Sequence, residues 1–133
     1  MNYVKIGDKS YDVLVVELSE NFNILYSENT GRTMAVGARM TLDPLGTFYG
    51  HKITFQRKQG KEEEYDQLFN YVSQPRHDGI PVEIVHNQTT LRYDAYISQG
   101  ERTLRRIDAQ TGKVYWDSFS VNIIPMEAQV KPQ

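Results

Sequence analysis

With 133 residues, no cysteine and a formal net charge of −2, the chain fits one domain and excludes a disulfide scaffold and a cysteine nucleophile. Fifteen Lys+Arg against seventeen Asp+Glu leave no basic surplus of the kind a general nucleic-acid binder carries. The longest apolar run near the start, VLVV at 13–16, is too short for a signal-peptide core, and no stretch approaches the ~20 apolar residues of a membrane span, so a soluble protein made in the cytoplasm is expected.

Two-residue alternation dominates the chain. Residues 3–6, the turn residues Gly7-Asp8-Lys9 and a run over 10–18 predict a hairpin. Its second strand is apolar at Val13, Val15 and Val16, so burial of part of it on both faces is expected. Residues 19–31 are polar and turn-prone apart from Phe22, Ile24, Leu25 and Tyr26. Residues 28–46, ENTGRTMAVGARMTLDPLG, place Gly31, Gly37, Pro44 and Gly46 around two short alternating runs, 33–36 and 38–42. This segment is long and mostly extended, and it holds neither histidine nor a phosphate loop.

The next strand covers 51–57, with Ile53 and Phe55 on one side and Lys52, Thr54 and Gln56 on the other. One helix is predicted, over 61–72. Tyr65, Leu68, Phe69 and Val72 form its apolar stripe, Glu62, Glu63 and Glu64 suit the dipole in its first turn, and Pro75 lies just past its end. Ile80, Val82 and Ile84 then alternate, Asn87-Gln88 suits a tight turn, and Leu91, Tyr93, Ala95 and Ile97 share one face of the return strand. A last hairpin runs from 103–107 through a turn at 108–112, with Gly112 in the left-handed position, into 113–124, where Tyr115, Phe119, Val121 and Ile123 face inward. Residues 125–133 have no periodic partner and are expected to extend away from the body. About seven or eight strands and one helix predict a mainly β fold: an antiparallel β-sandwich or barrel with a flanking helix and a long extended arm or hairpin.

No catalytic, cofactor-binding or metal-binding motif stands out. His51, His77 and His86 lack metal-ligand spacing and read as surface or loop histidines. The Glu62–64 run reads as a solvated helix start, and the formal sequon Asn87-Gln88-Thr89 as turn chemistry. Nucleophile elbow, P-loop and dinucleotide fingerprint are all missing from the sequence. Of the densest basic group, Arg102 and Arg106 fall on one strand face and Arg105 on the other, which splits a phosphate site. Charges of that kind also keep an exposed strand from mispairing. Nine tyrosines and one tryptophan allow a sugar-stacking platform, although Tyr93, Tyr115 and Trp116 are placed more simply in or beside the core.

The stretches GRTMAVGARMTLDPLGTFYGHK and KVYWDSFSVNIIPMEAQ, with the helix and hairpin between them, resemble small tail structural proteins of tailed bacteriophages and prophages of Gram-positive bacteria, over nearly the whole chain. The resemblance extends to tail-tube and distal-tail architecture. It implies a single tail-tube-like β domain over 1–124 with an extended C-terminal tail over 125–133. It also implies a non-enzymatic virion protein, present in the host cytoplasm before assembly, that forms a homo-oligomeric ring or tube, a hexamer by family analogy. Other phage tail proteins would be its partners, with no cofactor, no membrane and no sequence-specific nucleic acid. The chain is too short for the second, carbohydrate-binding-like domain of many distal-tail proteins, which leaves tube, distal ring, terminator and adaptor open.

Under this reading the 28–46 segment is an assembly arm, and Arg32, Met34, Val36, Arg39, Met40 and Leu42 are its contact residues. Strand 103–107, with Arg105, is the second candidate surface. The competing reading is an ordinary internal hairpin packed on its own subunit, since alternation does not separate pairing within a subunit from pairing between subunits. A different class is a carbohydrate-binding module at the host-facing end of a phage tail, with Tyr93, Tyr96 and Trp116 stacking on sugar rings. A small hydrolase using Glu62–64, or Asp94 and Asp117, has no support in the spacing.

Overall fold

The computed structural model describes residues 4–7, 9–32 and 37–132. In chain order the elements are β1 (Val4–Ile6), β2 (Leu14–Tyr26), β3 (Gly31–Arg32), β4 (Met40–Thr41), β5 (Pro44–Gln56), α1 (Glu62–Val72), β6 (Ile80–His86), β7 (Thr89–Tyr96), β8 (Gly100–Glu101), β9 (Leu104–Ile107), β10 (Val114–Trp116) and β11 (Phe119–Pro125). The fold is therefore mainly β with a single helix, and its described strand pairs are antiparallel.

The main sheet runs β1-β6-β7-β11-β5-β2, with β8 added on β11, while β9-β10 and β3-β4 form separate two-stranded ribbons. β11 is the joint. Its first part, Phe119 to Ile123, pairs with β5, and its end, Ile124 and Pro125, pairs with β7. Each half of the sheet turns an apolar face to one shared core, in a sandwich-like arrangement. β5 contributes Ile53 and Phe55, β11 contributes Phe119, Val121 and Ile123, and β6 contributes Ile80, Val82 and Ile84. Strict alternation in β11 makes this possible, because Phe119, Val121 and Ile123 point in while Ser120 and Asn122 point out.

The helix covers this core with the stripe predicted for it. Tyr65, Leu68 and Val72 are buried and Phe69 is partly so. The Phe119 ring receives Tyr65 and Phe69 edge-on, with ring centres 5.2 and 5.3 Å away. Burying a side chain the size of Leu68 contributes roughly 1.5–3 kcal/mol. The Ser73 amide caps the helix end by donating to the Phe69 carbonyl.

The expected hairpin at the start does not form. β1 pairs with β6, setting Val4 opposite Ile84 and Ile6 opposite Val82, whereas β2 pairs with β5. The first two strands thus become the two outer strands of the sheet. Gly7, at φ 68°, lies in a turn across which Ile6 and Lys9 form a single antiparallel bridge that β2 does not extend, and its amide donates to the Pro81 carbonyl at 2.7 Å. A Cβ there would collide with the Tyr71 hydroxyl, so the position needs glycine for space as well as for backbone.

Two further expectations are corrected. Val15 and Val16 are exposed, because β2 is an outer strand with a bulge between Val15 and Glu17. Residues 19–26, read as turn-prone apart from Phe22, Ile24, Leu25 and Tyr26, continue β2 without a break, since pairing with β5 along its length outweighs the weak strand preference of Glu20, Asn21 and Asn23. The tail also departs from expectation. Thr47 and Val130 form a bridge, and the Thr47 amide donates to the Val130 carbonyl at 2.8 Å, so residues 129 and 130 lie along β5, while the Met126 amide donates to the Asp94 carbonyl on β7 at 2.9 Å.

Candidate functional site

β2 and β5 make one long hairpin, and only its inner part belongs to the core. β11 leaves β5 at His51. Outward from there, the pair Asn21–Gly50 is followed by Phe22–Tyr49, Asn23–Phe48, Ile24–Thr47 and Leu25–Gly46. The six residues from Asn21 to Tyr26 span roughly 20 Å at strand rise. Directly paired residues share a face, so Phe22, Tyr49 and Ile24 extend the face that holds Ile53 in the core. Past the body that face meets solvent, with Phe22 65% exposed.

The described residues of the 28–46 segment, 28–32 and 37–46, form the outer end of this hairpin. Ser27 and Asp43 close its base through a side-chain hydrogen bond, and the Ser27 amide donates to the Asp43 carbonyl at 2.9 Å. The Asp43 amide in turn donates to the Thr30 hydroxyl at 2.8 Å. β3 and β4 then pair Gly31 with Thr41 and Arg32 with Met40. Gly37 and Ala38 take positive φ values of 91° and 44°. Arg32, Arg39, Met40 and Leu42 are all exposed here, Leu42 by 58%. Arg32 donates to the Ala38 carbonyl at 3.4 Å. Met34 and Val36 lie outside the described residues. Arg105 stands on another element, β9, with its guanidinium 3.8 Å from the Asp117 carboxylate.

A polar relay sits at the root of the hairpin. His51, read from sequence as a surface or loop residue, is 2% exposed. Its Nδ1 lies 2.7 Å from the Tyr93 hydroxyl and its Nε2 lies 2.8 Å from Glu20 Oε2. The same carboxylate oxygen is 2.8 Å from His86 Nδ1. Glu20 on β2 therefore holds β5 through His51 and the end of β6 through His86. A neutral His51 satisfies the whole set: Tyr93 donates to Nδ1, and the Nε2 proton goes to Glu20. Burial lowers the His51 pKa, partly offset by the Glu20 carboxylate. For Glu20, burial raises the pKa, but hydrogen bonds from His86 and His51 outweigh it and hold the group below its ordinary value. Burial pushes the Tyr93 hydroxyl well up, keeping it a neutral donor.

The aromatic residues of the sugar-platform reading are not brought together. Tyr93 is committed to His51, and Trp116 lies under the Arg102 guanidinium at 4.1 Å. Arg102 also covers Phe69 at 4.0 Å and bonds Asp66 at 3.0 Å. Tyr96 is the exposed member of the three. Arg106 rests on Tyr115 at 4.2 Å, so the arginine group is divided among separate partners. Glu62 faces Lys113 at 3.4 Å and Glu64 faces Lys9 at 3.3 Å. Among the described residues no group of three or more His, Asp or Glu could hold a metal ion, and no helix is long and apolar enough to cross a membrane. A scan against protein-family models and a search of curated proteins return no match to this chain.

Proposed function

We propose that this protein is a non-enzymatic structural subunit of a phage or prophage tail, which assembles with copies of itself into a ring or tube and contacts neighbouring tail proteins. The observation that carries the reading is the β2–β5 hairpin, whose core-side face runs past the core and presents Phe22 and Ile24 to solvent, with Leu42 exposed beyond its outer end. Such surface is costly to leave wet and gains ~25 cal/mol per Å² of apolar area when a neighbour covers it. Assembly is a head-to-tail contact between identical subunits that closes into a ring, six by analogy with tail-tube and distal-tail proteins. Arms engage the next subunit, with Arg32, Arg39, Met40 and Leu42 as contacts and β9, including Arg105, as a second surface. In this role the protein resides in the host cytoplasm before assembly and in the virion tail after it.

Light scattering over a concentration series tests the proposal. The intact chain is expected to show a mass that is a multiple of the monomer. A variant with residues 28–42 replaced by a short Gly-Asn turn is expected to stay folded and monomeric. A chain that is monomeric at every concentration, or a variant that assembles like the parent, contradicts it.

A further inference from the structure

Away from the core, the outer face of the sheet bends around a cleft of about 640 Å³. Strand alternation sets its lining: Asn21 and Asn23 come from β2, Phe48 from β5, Asn122 from β11 and Tyr96 from β7. Among the described residues no Asp, Glu, Lys or Arg lines it. The one imidazole at its edge, that of His51, already spends both ring nitrogens on Tyr93 and Glu20. None of the three asparagine side chains takes part in a hydrogen bond within the described residues. The cleft is therefore uncharged and carries unspent amide donors and acceptors beside two aromatic rings.

Gly50 belongs to the same arrangement. It pairs directly with Asn21, and a Cβ on it would come within 2.9 Å of Asn21 Oδ1. The missing side chain lets the Asn21 amide lie over the strand at the cleft wall. Gly50 does not have a positive φ, so space rather than backbone conformation is what glycine supplies here.

We propose that this cleft binds a short neutral saccharide. Each amide offers two donors and an acceptor, which matches paired hydroxyl groups, and the rings of Tyr96 and Phe48 offer flat apolar faces to sugar C–H surfaces. A volume of this size falls in the range of small-ligand sites. Nucleic acid and other anions find no countercharge in the lining. An added peptide strand is disfavoured because the cleft lies on a sheet face and not at an edge. A purely apolar cover would bury three amides without partners, which disfavours it. The inference stands independently of the assembly reading, since it uses neither the end of the arm nor β9.

The test is a titration of the full chain with D-galactose, N-acetyl-D-glucosamine, L-rhamnose and maltotriose, followed by the side-chain amide resonances of Asn21, Asn23 and Asn122. At least one of these sugars is expected to shift all three. Tyr96→Ala and Asn122→Ala are expected to weaken its binding tenfold or more with the melting temperature unchanged, because both residues are exposed. Gly50→Ala is expected to weaken it by displacing Asn21. The proposal is overturned if none of the four sugars shifts these amides at concentrations up to about 10 mM, or if shifts persist in Tyr96→Ala. It is overturned equally if Tyr96→Ala abolishes self-association while no sugar binds, which would make the cleft a subunit contact.

Discussion

His51 carries the clearest consequence of a single side chain. Its position was readable: it stands two residues before Ile53 and four before Phe55, so alternation puts all three on the core face. Residue type argued the other way, since an isolated histidine without ligand spacing is usually at the surface. What the sequence could not display is the set of partners, because Glu20, His86 and Tyr93 come from three other strands. The relay gives stability a defined pH dependence. His51 has a folded pKa below its ordinary 6.5, so the unfolded chain binds the proton more readily and stability falls as pH drops from about 6.5 toward the folded value. Glu20 is also depressed, from 4.5, and adds a second loss of the same sign below that value. Thermal melts between pH 7.5 and 4 should show both falls. His51→Gln is expected to flatten the upper one and leave the lower in place; an unchanged upper slope would dissociate His51 from it.

For the helix, a 3.6-residue period, an acidic first turn and a proline beyond the end together gave both position and buried face. Leu68→Ala is expected to cost roughly 2–5 kcal/mol in urea unfolding, by lost burial plus a cavity under the helix. A cost below ~0.5 kcal/mol would mean the helix is not packed on Phe119 and its neighbours. Of the long hairpin, the inner ends of both strands fall in predicted runs, 10–18 and 51–57, though not as partners, and glycines and proline punctuate its outer end at 28–46. Its stem hid behind Glu20, Asn21 and Asn23, residues with weak strand preference that pairing holds extended. Gln129 fastens that stem, donating to the Tyr49 carbonyl and accepting from the Tyr49 amide, both at 3.0 Å. In a monomer, amides of the arm end (28–32 and 37–46) should exchange faster than those of β6 and β7, which bound the core. Gln129→Ala should extend fast exchange inward to Tyr49; equal rates in the parent and the variant would show that the tail does not restrain the stem.

Across the whole molecule, alternation located most strands, and turn residues gave the local pairs β6–β7 and β9–β10 but not the partners far apart in the chain. Alternation could not tell that β1 belongs beside β6, because Val4 and Ile6 would serve equally well opposite β2. Between those two outer strands lies an apolar cleft of about 580 Å³, lined by Val4, Val13, Leu18 and Phe55 among others. The overall charge of −2 also acts at this scale. Duplex DNA is expected to bind weakly, with any affinity dropping steeply as salt rises. A gel-shift complex that is sequence-specific at physiological salt would be incompatible with a purely structural role.

The double hold of Gln129 on Tyr49 also sets an order of events during synthesis. One edge of β5 can pair with β2 once both have been made, but at Tyr49 the residue that grips the other edge is 80 positions further on. At about 5–20 residues per second, a ribosome needs roughly 4–16 s to bridge that interval. For those seconds the nascent chain carries a ribbon with an open strand edge, a template for any passing strand. Translation speed through the second half of the message thus governs how long each new copy is vulnerable to exchanging strands with another.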